Sequence, residues 1–184
     1  MAILLAFAPF ILFVIVERTI GVSAGLLAAT AVSLALVARE ALRKARSLKV
    51  LEVGTAVLFG GLAAYTLLVG GAWSVFGVRL TVDAGLFLIV LISIAVGRPF
   101  TLPYAREQVP RELWERPQFI RTNYVVTAAW AAAFAVIVAA DALLLYAPEV
   151  PAAVGIVTTV LALLAAIRFT TWYPKRVRAK AAAG

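Results

Sequence analysis

The chain lacks two residue types that carry much of protein chemistry. It has no cysteine among its 184 residues, which excludes a disulfide framework, a thiol nucleophile and a thiolate metal site. It has no histidine either, which removes the commonest metal ligand and general base and the usual haem ligand. Charge is sparse as well: 14% of residues are charged against 64% hydrophobic, and the mean hydropathy is +1.03. A soluble chain of this size could build one core but could not cover so much apolar surface with so few charges. Lipid is therefore the solvent for much of it.

What is present is a ladder of six apolar runs, at about 2–16, 20–38, 51–69, 81–96, 124–145 and 152–169. At ~1.5 Å rise per residue an 18-residue run covers ~27 Å, close to the hydrocarbon thickness of a bilayer. The first run is short and holds Pro9, so a partial or tilted span joined to the second by a tight turn at Glu17, Arg18 and Thr19 is expected. Met1-Ala2-Ile3 offers no basic region of the kind that opens a cleavable signal peptide. The expected fold is an all-α, polytopic membrane bundle of six transmembrane segments, a single domain over residues 1–184 with no soluble domain. Residues 97–123 form its interfacial loop.

The charges fall on one side of that ladder. Segments 39–50, 97–123 and 168–180, with Glu52, carry 15 basic and 5 acidic residues, net +10. The opposite side holds Arg18 and Arg79 with Glu17, Asp83, Asp141 and Glu149, net −2, and the two sides sum to the chain's +8. By the positive-inside rule both termini and the two long basic loops are cytoplasmic. The same placement reads the net charge as topology rather than as a nucleic-acid footprint, so nucleic acid is not an expected partner.

Small residues recur at helical spacing inside the runs. Gly21, Gly25, Ala29 and Ser33 form one ridge, Thr127, Ala131, Ala135 and Ala139 a second, and Gly60, Gly61 and Ala64 a third. Such ridges let helices approach closely where lipid supplies no hydrophobic drive between them; intramolecular packing and dimer contacts use them equally.

No acid lies at the middle of an apolar run, where an ionisable side chain would mark a pathway; Glu17, Glu52, Asp83 and Asp141 sit near the ends. No lysine lies within one. No catalytic residue, metal site or cofactor is expected. The polar groups at depth are hydroxyls and rings, among them Tyr65, Ser93, Thr127 and Trp130, with Asp141 nearer an end. They read as helix-to-helix or back-bonding groups, or alternatively as the lining of a polar cavity.

The least ordinary stretch is 97–123, cut by Pro99, Pro103, Pro110 and Pro117. Pro110 is placed to open a helical turn through Glu115, and Pro117 to end it. Phe100, Tyr104, Trp114 and Phe119 alternate with Arg98, Arg106, Arg111, Arg116 and Arg121. One reading is a belt of rings at headgroup level with arginines on lipid phosphates. The other is a headgroup or partner site made by Arg98, Tyr104, Arg106, Glu107 and Trp114, in which Arg98 and Arg106 bind phosphate and Glu107 orients one of them.

These residues carry a resemblance. The opening Ala8-Pro9-Phe10-Ile11-Leu12-Phe13, the basic stretch after the second run, Arg98-Pro99-Phe100, Val109-Pro110-Arg111-Glu112-Leu113-Trp114 and Thr127-Ala128-Ala129-Trp130, with Phe134 and Asp141 beyond, resemble successive elements of the intracellular septation protein A family of small bacterial inner-membrane proteins. The stretch from Trp114 to Trp130 is longer here, and Thr127 stands where that family has Asn, as in a divergent member. The resemblance implies a non-enzymatic protein of the cell inner membrane, acting in cell-envelope synthesis, division or septation. Its partners would be anionic lipid headgroups and other envelope or division membrane proteins. A small transporter or lipid-handling protein is the alternative, and an enzyme acting on lipid headgroups through Glu107, Glu112 or Glu115 a third reading.

Overall fold

A computed structural model describes residues 5–42, 49–70 and 73–183, with side chains to residue 180. Among the described residues every regular element is helical. The helices are α1 (Ala8–Thr19), α2 (Val22–Leu42), α3 (Val50–Val69), α4 (Val75–Ala95), the short α5 (Thr101–Arg106), α6 (Pro117–Tyr146) and α7 (Ala152–Ala183), with one 3₁₀ turn at Arg111–Leu113. Five of them, α2, α3, α4, α6 and α7, are long and apolar enough to cross a membrane. Their outward faces carry large side chains such as Leu34, Val57, Leu68, Leu88, Val136 and Leu161, a surface that only lipid solvates. The chain is a helical membrane protein.

The first described helix is short, and the turn that follows it comes later than expected. Residues 1–4 lie outside the described part, and α1 has 12 residues, ~18 Å of helix, so it is not among the five. Pro9 sits in its first turn, where the missing N–H costs nothing. The expected turn at Glu17, Arg18 and Thr19 is helix; the chain reverses one step later, at Gly21, whose φ of +134° is accessible to glycine and strained for other residues.

The chain divides into two compact units, 1–89 and 90–184. In the first, α1 packs on α2 and α2 on α3 around Phe13, Leu26, Ala29, Phe59, Ala63, Val78 and Val82. The predicted ridge on α2 makes this packing possible. Gly25, Ala29 and Ser33 are all buried, and a Cβ added at Gly25 would lie 3.1 Å from the backbone nitrogen and Cβ of Glu17 and from the carbonyl of Phe13. The α3 ridge is used in part: Gly60 is half-buried, with the Thr30 methyl of α2 3.9 Å from its Cβ position, whereas Gly61 and Ala64 are exposed, and a tighter approach on α3 is at Gly54, against Ile89. Gly70, at φ +67°, ends α3, and Trp73 then donates Nε1–H to the Thr66 hydroxyl at 2.7 Å, tying the return to the helix it leaves.

Ion pairs mark the two ends of this unit. Glu17 of α1 accepts from Arg79 of α4 at 3.2 Å, its side chain 4% exposed. Some 15 residues further along α2 from Gly25, ~22 Å, Glu40 meets Lys49 at 3.3 Å, and Lys49 lies 3.9 Å from Glu52. Each pair joins residues that the charge pattern places on one side.

In the second unit, α6 and α7 form a hairpin, with Gly155 receiving the side chain of Leu144 near its turn. Gly97, at φ +74°, closes α4 with the Arg98 N–H bonded back to the carbonyl of Ser93 at 2.9 Å, a Schellman-type ending. Two boundaries depart from expectation. Pro117 opens α6 rather than only ending the turn before it, because its fixed φ suits the first helical position. The last helix continues through Pro174 to Ala183, about 14 residues past the apolar run.

Gly25→Leu is expected to destabilise the α1–α2 hairpin by ~1–3 kcal/mol through overpacking. Gly61→Leu, with nothing within 4 Å of its Cβ position, should be close to neutral. Unfolding of the two variants in matched detergent would decide; equal midpoints would show that the Gly25 contact is not the limiting one.

Candidate functional site

Two clusters in the second unit hold most of the residues singled out in the sequence. The first is a buried hydroxyl node. Pro99, Phe100, Thr101 and Tyr104 are buried, so the proline-cut segment starts by tucking inward rather than lying wholly as a surface belt. Ser93 donates to the Val90 carbonyl at 2.7 Å and accepts the Phe100 N–H at 3.2 Å. Thr101 lies 3.1 Å from the Asn123 carbonyl oxygen and 2.8 Å from the Thr127 hydroxyl. Thr101 has one proton, so when it donates to Asn123 the Thr127 hydroxyl must be the donor between the two threonines. Asn123 turns its amide to the Phe119 carbonyl at 2.9 Å.

Trp130 completes the node one turn deeper. It is 2% exposed, donates Nε1–H to the Thr170 hydroxyl of α7 at 2.9 Å, and Thr170 passes its own proton to the Ala166 carbonyl at 2.8 Å. Phe100 meets the Trp130 ring edge-on at 6.3 Å, and Phe134 packs at 5.6 Å. Ser93, Thr127 and Trp130 are thus filled in and hydrogen-bonded, as packing groups are, rather than open to a lumen. The other two intramembrane candidates lie elsewhere. Tyr65, in the first unit, is half exposed with its ring against Trp73. Asp141 is buried 14 residues beyond Thr127 along α6, ~21 Å away.

The second cluster is the folded remainder of the loop. Trp114 donates Nε1–H to the carbonyls of Arg106 and Val109, at 3.1 and 3.3 Å, and so closes the segment on itself. The guanidiniums of Arg106 and Arg111 both stand over its ring, at 5.4 and 5.7 Å, a cation–π arrangement. Arg106 also pairs with Glu115 at 3.1 Å, the arginine side chain 31% exposed and the carboxylate 84%. Glu107, expected to orient Arg98 or Arg106, is exposed; Glu115, not named for that role from the sequence, is an acid that pairs with Arg106. Arg98 is exposed and Tyr104 is buried, 2% exposed, so the five expected site residues do not form one open surface. Arg106 and Trp114 come together; Tyr104 belongs to the buried side.

Sequence reasoning missed Thr101, Asn123 and Thr170. Asn123 was reachable, since Asn123, Thr127 and Trp130 follow one another at i, i+4 and i+7 on a single helical face. Thr101 and Thr170 were not, because their partners come from other segments. Chemically, the node holds helices in register, while the Trp114 platform presents two guanidiniums and a carboxylate outward.

Thr127→Val and Trp130→Phe each keep most of the volume and remove one inter-element hydrogen bond. Each should cost ~0.6–1.5 kcal/mol, read as a lowered unfolding midpoint in bilayer discs. Unchanged stability in both would argue that these groups serve a ligand rather than the packing.

Comparison with family models, with characterised proteins and with solved structures gives no match.

Proposed function

We propose that this chain is a non-enzymatic, multi-pass protein of the bacterial inner membrane. Its two termini face the cytoplasm, and it acts in cell-envelope synthesis, division or septation through contacts with lipid headgroups and other membrane proteins, as a divergent relative of the septation protein A family. The observation that carries this reading is the Trp114 platform. Its ring, held by two hydrogen bonds and carrying Arg106 and Arg111, is a preformed aromatic–arginine surface with an exposed acid at its rim. Tryptophan and arginine are the residue types that anchor interfaces. The filled hydroxyl node speaks for contacts over conduction: a transporter reading needs Ser93, Thr127 and Trp130 around a cavity, and they are packed against their neighbours. The charge bias of the loops and the grouping of ion pairs by side support the orientation.

The orientation is directly testable because the chain has no native cysteine. With single replacements Gln108→Cys and Glu149→Cys, a membrane-impermeant maleimide applied to intact cells should label only position 149. The reverse pattern would invert the topology.

The partner reading is tested on protein extracted with its surrounding membrane in native nanodiscs, with co-purifying molecules identified by mass spectrometry. A recurrent protein partner is expected with the unaltered chain. The triple variant Arg106→Ala, Glu107→Ala, Trp114→Ala should retain it at least about thirtyfold less well, the loss of a hot spot of ~2 kcal/mol or more. A triple variant that keeps every partner would remove the platform from the function. One lipid enriched far above bulk, with no protein, would favour lipid handling instead.

A further inference from the structure

The last helix is longer than its apolar run requires. From Ala152 to Arg168 the helix rises ~24 Å and to Lys175 ~35 Å, lengths that bracket a hydrocarbon core of ~30 Å. At that level α7 carries a recess of about 400 Å³ bounded by Ala165, Arg168, Phe169, Thr171, Trp172 and Lys175. Arg168, Thr171 and Lys175 follow at i, i+3 and i+7 along one face, and all three are exposed, as is Trp172. The aromatic side of the recess is built: Phe169 stacks on Tyr173 at 5.2 Å, and Arg176 stands over the Trp172 ring at 5.2 Å. No Asp or Glu follows Glu149 in the chain, so the positive charge of this stretch has no acid of its own segment to answer it.

We infer that this recess on α7 is a binding site for the phosphate of an anionic phospholipid, held between Arg168 and Lys175 with Trp172 against the glycerol region; Thr171 lines the recess but gives its proton to the Arg168 carbonyl at 2.9 Å. The chemistry is that of the site. A guanidinium and an ammonium two helical turns apart on one face are long enough to reach one phosphate, and a half-exposed indole belongs at headgroup depth. An acidic protein segment would satisfy the charges but not the depth: a site whose first cation lies at the end of the apolar run, beside Ala165 and Phe169, suits a ligand with its own acyl chains. The site is separate from the Trp114 platform and stands whether or not that platform binds a protein.

The test uses the full chain in nanodiscs of equimolar phosphatidylcholine and phosphatidylglycerol, with the lipids retained on the released protein counted by native mass spectrometry. The unaltered chain should retain phosphatidylglycerol preferentially. Arg168→Ala with Lys175→Ala should lower that preference about thirtyfold, about fivefold for each cation removed near a membrane surface. Arg168→Lys with Lys175→Arg, which preserves charge and folding environment, should keep it. Arg178→Ala with Lys180→Ala removes the same charge from further along the helix and should leave it nearly unchanged. An equal loss in that last variant would mean bulk attraction without a site, and equal retention of both lipids by the unaltered chain would overturn the assignment.

Discussion

Helices in a bilayer must satisfy their own backbones and find their neighbours without hydrophobic force, since the surrounding acyl chains are as apolar as leucine. Beside the apolar core, several contacts among the described helices answer that constraint by close approach or by a buried polar contact. Gly25 lets α2 lie on the backbone of α1, Gly54 and Gly85 take the side chains of Ile89 and Leu58, and Gly155 takes Leu144. The hydroxyls within the long helices follow the same logic. Thr30, Ser33, Thr55 and Thr66 each return their proton to the carbonyl four residues earlier, at 2.7–2.8 Å. A hydroxyl so engaged has used its one proton and turns no unpaired donor toward lipid.

Charge is handled at the helix ends, and in pairs. Removing one partner of a buried pair leaves the other stranded, at a cost of ~3–5 kcal/mol, so Glu17 with Arg79 and Glu40 with Lys49 are each units rather than independent residues. Glu17 also sits where Gly25 leaves room for it, which couples the short first helix to the rest of its unit by sterics and electrostatics at the same residue.

The helical class, the long apolar helices and the α2 ridge were legible because they rest on composition and on periodicity within one segment. The residues Gly25, Ala29 and Ser33 announce a packing face before any partner is known. The α3 ridge was legible only in part for the same reason: spacing says that Gly60, Gly61 and Ala64 share a region, not which face a neighbour occupies, and neighbours lie against Gly60 and Gly54 but not Gly61. Helix ends were the weakest part. Proline 117 is equally suited to stopping a turn and starting a helix, and only the continuation of the backbone decides. The loop site divided because its inward part, Phe100 to Tyr104, meets residues of α6 that lie more than 20 positions away, a pairing that no local pattern encodes.

Arginine and aromatic residues appear twice at the ends of apolar segments in the second unit, and their surroundings separate their roles. Around Trp114 the cations have an acid of their own, Glu115, and the ring is pinned by two backbone carbonyls; such a surface is preorganised and partly neutral, which favours a shaped partner over a diffuse field. Along the end of α7 there is no acid, and the rings lie on one continuous helix at the depth where the apolar run stops. Uncompensated charge beside aromatic rings attracts a headgroup and falls off within a Debye length. The same pair of residue types is therefore built in two electrostatic settings, and what separates them is whether an acid stands beside the cations.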